Sequence, residues 1–217
     1  MTDFQELYHQ ADVKEYRNYV LIDQQNQLWD KFDALNSSAS HPNIVFAGDS
    51  ITEYFPIHEL LSSDLTLYNR GVHGINSLHL LEHLDSQVLN LSPLKVFLLI
   101  GVNDLKNRRP EEVSQTIKTI IERIQEQLPK TQIFLLSVFP MNESPEFVRT
   151  PSLRNNASIS QLNKLLEQLA SQQVKWLDLH DLLCDASGQL KRDWTIDGLH
   201  LTVEGYRAIS KVIQTYL

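Results

Sequence analysis

Apolar residues fall in two rhythms along this chain. Short unbroken runs, clearest in Ile44-Val45-Phe46-Ala47 and Val96 to Ile100, have the length of strands buried on both faces. Between such runs the apolar positions recur at helical spacing. From Pro110 to about Leu128, Val113, Ile117, Ile120, Ile121 and Ile124 line one side of a helix that the proline opens.

Extended along the chain, the pattern predicts a helix from about Lys14 to Leu35 with a stripe of Tyr16, Leu21, Leu28, Trp29, Phe32 and Leu35. A breaker-rich loop, residues 36–42, ends it. A first strand at Ile44 to Ala47 is followed by a short helical piece, Ile57 to Leu61, and a second strand, Leu65 to Asn69. A helix carrying Leu78, Leu81 and Leu84 leads to a third strand, Lys95 to Ile100, and then to the Pro110 helix. The remaining elements are strands at Gln132 to Val138 and Val174 to Leu179, and helices at Ser152 to Ala170 and Val203 to Tyr216. Such alternation, with no internal repeat, argues an α/β fold: a mostly parallel sheet of about five strands with helices on both faces. Nothing marks an internal domain boundary. Residues 1–42 read as a helical extension packed on a domain of residues 43–217, since a free arm would hardly carry Trp29 and Phe32.

Composition narrows the function classes. The 217 residues are 42% hydrophobic and 21% charged, enough for a full core. A net charge of −8 without any Lys/Arg run argues against nucleic acid or an anionic membrane as partner. No basic segment followed by an apolar stretch opens the sequence, so no secretory signal is expected, and no run is long enough for stable membrane insertion. Cys184 is alone, which excludes an intramolecular disulfide and fits a reducing cytoplasm.

The candidate chemistry gathers where strands stop. Gly48-Asp49-Ser50, Gly71-Val72-His73-Gly74 and Gly101-Val102-Asn103-Asp104 each end a predicted strand beside a glycine. Parallel strands put their carboxyl ends along one edge, where open α/β folds bind ligands. Taken alone, Ser50 is a helix cap. Taken together, the turns offer a serine nucleophile and donors for a developing oxyanion: the Ser50 and Gly74 N–H groups and the Asn103 amide. Asp197 and His200, three apart in Asp-Gly-Leu-His, supply an imidazole base with a carboxylate to orient it. For Asp49 and Asp104 a structural role in the turns is expected. His79 and His83 stand four apart on a predicted helix, but no third ligand accompanies them, so a solvated face is expected in place of a metal site. Cys184 reads as a small buried residue.

These blocks resemble the GDSL (SGNH) hydrolases. Gly48-Asp49-Ser50-Ile51, the Gly74 turn, Gly101-Val102-Asn103-Asp104 and Asp197-Gly198-Leu199-His200 stand in the family's order, with Ile51 where leucine is usual. The lead-in Asn69-Arg70-Gly71 and the ending Asp-Gly-Leu-His-Leu look closest to the platelet-activating-factor acetylhydrolase-like bacterial branch. The resemblance implies a three-layer α/β/α sandwich with a flavodoxin-like sheet of order 2-1-3-4-5. It also implies ester hydrolysis without metal or other cofactor, on a small-molecule ester, through an acyl-enzyme. Ser50 would be nucleophile, His200 base and Asp197 its orienter, with oxyanion donors from Ser50, Gly74 and Asn103. A homodimer is compatible with it.

Pocket residues are less determined. His73 precedes the oxyanion glycine, and Ile75 follows it where the family often has Asp or a small hydroxyl residue; both are candidates for substrate binding. Phe139 and Met141 leave the fourth strand toward the same edge and suit an apolar acyl wall, although Phe139 is equally suited to packing against a helix. The loops 143–150 and 71–77 are expected to select the substrate. Two readings from other classes remain: a non-catalytic binding module on the same scaffold, and a phosphate cradle, the latter without a supporting glycine motif.

Overall fold

The computed structural model describes residues 11–147 and 154–217. Five strands, β1 (Asn43–Gly48), β2 (Thr66–Gly71), β3 (Lys95–Leu99), β4 (Gln132–Leu136) and β5 (Val174–Leu177), form one parallel sheet in the order β2-β1-β3-β4-β5. The chain therefore starts near one edge, steps outward to β2, and then returns across β1 to build the other side. With right-handed crossovers, that reversal sends the first connection and the later ones to opposite faces. The result is the three-layer sandwich with the expected strand order.

Helix α1 (Ala11–Asn36) precedes the sheet, and α2 (Ser50–Glu53) and α3 (Ile57–Leu60) connect β1 to β2. On the way to β3 lie α4 (Ser77–Glu82) and α5 (Leu84–Gln87); α6 (Pro110–Gln127) and α7 (Asn156–Glu167) follow β3 and β4. After β5 come α8 (His180–Leu183) and the closing α9 (Val203–Ile213). The six residues of β1 are all buried, as an inner parallel strand requires. Register aligns Phe46, Phe97 and Phe134 across β1, β3 and β4, and their rings stack at centroid distances of 4.8 and 4.6 Å. Among the described residues, no helix is long and apolar enough to cross a membrane.

Several local expectations need adjusting. The helix foreseen after β2 breaks at His83, leaving Leu80 and Leu84 buried and Leu78 exposed. The last helix stops at Ile213 and tightens into a 3-10 turn, Gln214–Tyr216. The expected start of α7 at Ser152 lies outside the described residues. In α1, Tyr16 and Leu35 face solvent, because the inward phase is set by Leu21, Gln25, Leu28, Trp29, Phe32 and Asn36. Two of these six are polar, and an apolar stripe alone cannot reveal that face. His83 is no free surface residue either: its ring stacks on Trp29 at 3.5 Å between centroids. Cys184 is only partly buried.

Candidate active site

Strand order reverses between β1 and β3, and the turns that leave these two strands open the crevice where such sheets bind ligands. Gly48 ends β1 so close to β3 that a Cβ there would sit 2.1 Å from the Leu99 carbonyl oxygen. Asp49 then caps α2, its carboxylate accepting the Ile51 N–H at 2.9 Å. Ser50 is thus the first residue of that helix, 6% exposed. From behind, Tyr206 of α9 donates its hydroxyl to the Ile51 carbonyl at 2.7 Å, which fixes the helix on the core.

Ser50 Oγ lies 2.9 Å from His200 Nε2, and His200 Nδ1 lies 2.7 Å from Asp197 Oδ2. The other Asp197 oxygen accepts the backbone N–H groups of Leu199 and His200 at 3.0 and 2.9 Å. Burial works against the Asp197 charge. The hydrogen bonds from the His200 ring and from the two backbone N–H groups outweigh it and hold the carboxyl well below its usual range. The opposite holds for Asp49: complete burial raises its carboxyl to about 6, against the Ile51 hydrogen bond and the attraction of His200.

The other two turns converge on the same place. Gly74 sits at φ +76°, a conformation that favours glycine. Asn103 donates one amide N–H to the Ile75 carbonyl at 2.9 Å, which leaves its second N–H for the cleft. Asp104 accepts from the Ser77 N–H and hydroxyl and from Arg108 at 2.8, 2.5 and 2.6 Å. It therefore ties the Asn103 turn to the loop after Gly74. Asn69 does similar work at the end of β2, donating to the Thr52 carbonyl and accepting the Gly71 N–H.

One cleft of about 890 Å³ collects Ser50, Gly74, Asn103, Asp197 and His200 in its lining. His73 and Met141 line it as well, and His73 Nδ1 is paired with Glu53 at 2.9 Å. Ile75 and Phe139 do not line it. Both side chains are fully buried: Ile75 turns into the core and offers only its carbonyl to the site, and Phe139 packs beneath the sheet edge. Residues that sequence reasoning passed over complete the wall, notably Leu21, Lys106, Phe147 and Arg154. Lys106 stands three residues after Asn103 in a 3-10 turn, a spacing that repeats one face and was readable in principle. Burial and the neighbouring Arg154 push the Lys106 amine down; burial does the same to Arg154, with Asp49 and Asp197 opposing it. Among the described residues, the grouping with metal-ligand chemistry is His180, Asp181 and Cys184, and none of these lines the cleft.

Comparison with known proteins agrees with the fold and the motifs. The model of the GDSL-like lipase/acylhydrolase family matches residues 46–208. Platelet-activating factor acetylhydrolase IB subunit alpha2 of Rattus norvegicus is 30% identical over 182 residues, spanning 82% of this chain and 76% of that protein. A Streptococcus pneumonia structure, solved under the name of a platelet activating factor, superposes with a TM-score of 0.90 at 37% identity, covering 95% of this chain and 99% of its own. An acetylxylan esterase from Geobacillus stearothermophilus shares the fold, with a TM-score of 0.63 at 18% identity over 82% of this chain and 94% of its own.

Proposed function

Because this chain belongs to the GDSL-like lipase/acylhydrolase family and is a carboxylic ester hydrolase, we propose that Ser50 is its nucleophile, His200 its general base and Asp197 the residue that orients the imidazole. The observation that carries this reading is the unbroken hydrogen-bonded line from Ser50 Oγ through both His200 nitrogens to Asp197, at 2.9 and 2.7 Å.

The steps follow from those contacts. His200 Nε2 takes the Ser50 proton as Oγ attacks the ester carbonyl, and Asp197 stabilises the imidazolium that forms. The carbonyl oxygen becomes an oxyanion, met by the N–H groups of Ser50 and Gly74 and the free N–H of Asn103. The imidazolium returns its proton to the departing alcohol, leaving an acyl group on Ser50. Water, deprotonated by His200, then hydrolyses that acyl-enzyme and restores the serine.

Short acyl esters, acetyl esters first, are the substrates this cleft suits best. Among the described residues the lining mixes Leu21, Tyr54, Met141, Phe147 and Leu199 with the charged and amide groups of Lys106, Arg154, Asn103 and Asn142, a mixture that suits a small ester with polar substituents. The likeness to an acetylhydrolase points the same way. The unpaired thiol of Cys184 suits a cytoplasmic setting.

Turnover of p-nitrophenyl acetate by the Ser50→Ala variant tests the assignment. A fall of roughly 10⁴- to 10⁶-fold is expected when a nucleophile that acts as part of a triad is removed. Unchanged turnover would remove Ser50 from the mechanism.

A further inference from the structure

Helix α1 lies outside the residues 46–208 that carry the family, yet its inward face reaches the cleft. Leu21 lines it, and one turn on, Gln25 is 5% exposed and donates from Nε2 to the His73 carbonyl at 2.8 Å. The His73 carbonyl and the Gly74 N–H are the two ends of one planar peptide group. Whatever holds the carbonyl also aims the N–H. A carbonyl that accepts a hydrogen bond also polarises its peptide, which makes the N–H at the other end a stronger donor.

This peptide needs holding. Gly74 at φ +76° has no side chain to resist rotation of the preceding peptide plane. The atoms nearest to where its Cβ would stand are Gln25 Nε2 at 3.1 Å and Leu21 Cδ1 at 3.2 Å, so α1 closes the space into which the turn would relax. The helix is itself fixed. Trp29 Nε1 donates to Gln87 at 3.1 Å, Gln87 donates to the Arg70 carbonyl at 2.7 Å, and Asn36 donates to the Ser86 carbonyl at 2.8 Å. These ties join α1 to α5 and to the end of β2, the strand that leads into the Gly74 turn.

We propose that Gln25 is a positioning residue for ester hydrolysis: it holds the His73–Gly74 peptide group so that the Gly74 N–H points at the oxyanion. The N-terminal helix is then part of the active site. This inference rests on the oxyanion role proposed for Gly74 above.

Two variants test it, each compared with the wild-type chain for kcat, KM, Tm and affinity for phenylboronic acid, which forms a tetrahedral adduct on a reactive serine. Gln25→Met keeps the shape and removes the donor. It should lower kcat about tenfold, short of the ~10²- to 10³-fold lost when an oxyanion donor is deleted. Boronate affinity should weaken by the same factor while KM stays within about twofold, since the oxyanion forms only after binding. Gln25→Glu donates only when protonated, and burial raises its pKa. Its kcat relative to wild type should therefore be highest in acid and fall as pH rises, which a purely structural loss would not produce. Met and wild-type chains with equal kcat and equal boronate affinity would overturn the proposal, as would a Glu/wild-type ratio flat with pH. If Ser50→Ala stays active, the nucleophile assignment fails first. If it is inactive while Gln25→Met is not slowed, this inference alone fails.

Discussion

The Asp104 carboxylate holds Ser77 with both of its oxygens, accepting the backbone N–H at 2.8 Å and the hydroxyl at 2.5 Å. Asp104 follows the Asn103 amide, and Ser77 closes the loop that begins at Gly74. Two proposed oxyanion donors on separate turns are thereby kept in one frame. Arg108, at 2.6 Å, balances the buried charge.

Removing that tie should cost both stability and rate. Asp104→Ala leaves the Ser77 N–H without its acceptor and takes the carboxylate from Arg108, which is left with the neutral acceptors Ser77 Oγ, the Glu112 carbonyl and Thr116 Oγ1. A buried donor left unsatisfied costs about 1 to 3 kcal/mol. Urea denaturation should report the loss, and kcat for p-nitrophenyl acetate should fall as the two donors drift. A variant as stable and as fast as wild type would show that the frame is held elsewhere.

Asn103 offers a cleaner separation of rate from binding. Asn103→Ala removes one proposed oxyanion donor, for which about 10²- to 10³-fold in kcat is expected with little change in KM. Because the amide also serves the Ile75 carbonyl, Tm is to be measured beside the kinetics. A change confined to KM would assign Asn103 to ground-state binding.

Asp49 gives a pH-dependent signature. Its carboxyl titrates at about 6 in the fold against an ordinary 3.8, so between these values the folded chain binds the extra proton. Stability from this group is therefore lost as pH rises through that window, by up to roughly 3 kcal/mol for a shift of this size. Asp49→Asn keeps an acceptor for the Ile51 N–H but cannot ionise. The stability difference between variant and wild type should move in the variant's favour from about pH 4 to about pH 7, while contributions common to both, Asp197 included, cancel. A difference constant across that range would contradict the burial account.

Much of this was legible in the sequence, for identifiable reasons. Inner parallel strands read as unbroken apolar runs, so β1 and β3 stand out. Ser50, Gly74, Asn103 and the Asp197–His200 pair all sit at or near the sheet edge that strand alternation already implies. What stayed hidden was polar and long-range. Gln25 and Asn36 occupy the buried face of α1 but add nothing to an apolar stripe. The Tyr206–Ile51 contact joins residues 155 apart, and no local pattern announces it. Ile75 and Phe139 were drawn toward the pocket by their neighbours in sequence, whereas their side chains turn into the core. Position along a strand end does not fix which way a side chain faces.

The most direct test of the central claim is covalent. A p-nitrophenyl alkylphosphonate offers a nucleophilic serine a phosphorus centre, and attack by Oγ expels p-nitrophenol and leaves the phosphonyl group attached. Intact-mass spectrometry with peptide mapping should then show one phosphonyl adduct per chain, on the peptide containing Ser50, with hydrolysis lost in step and no adduct on Ser50→Ala. An inactivated enzyme carrying its adduct on another residue would contradict the account.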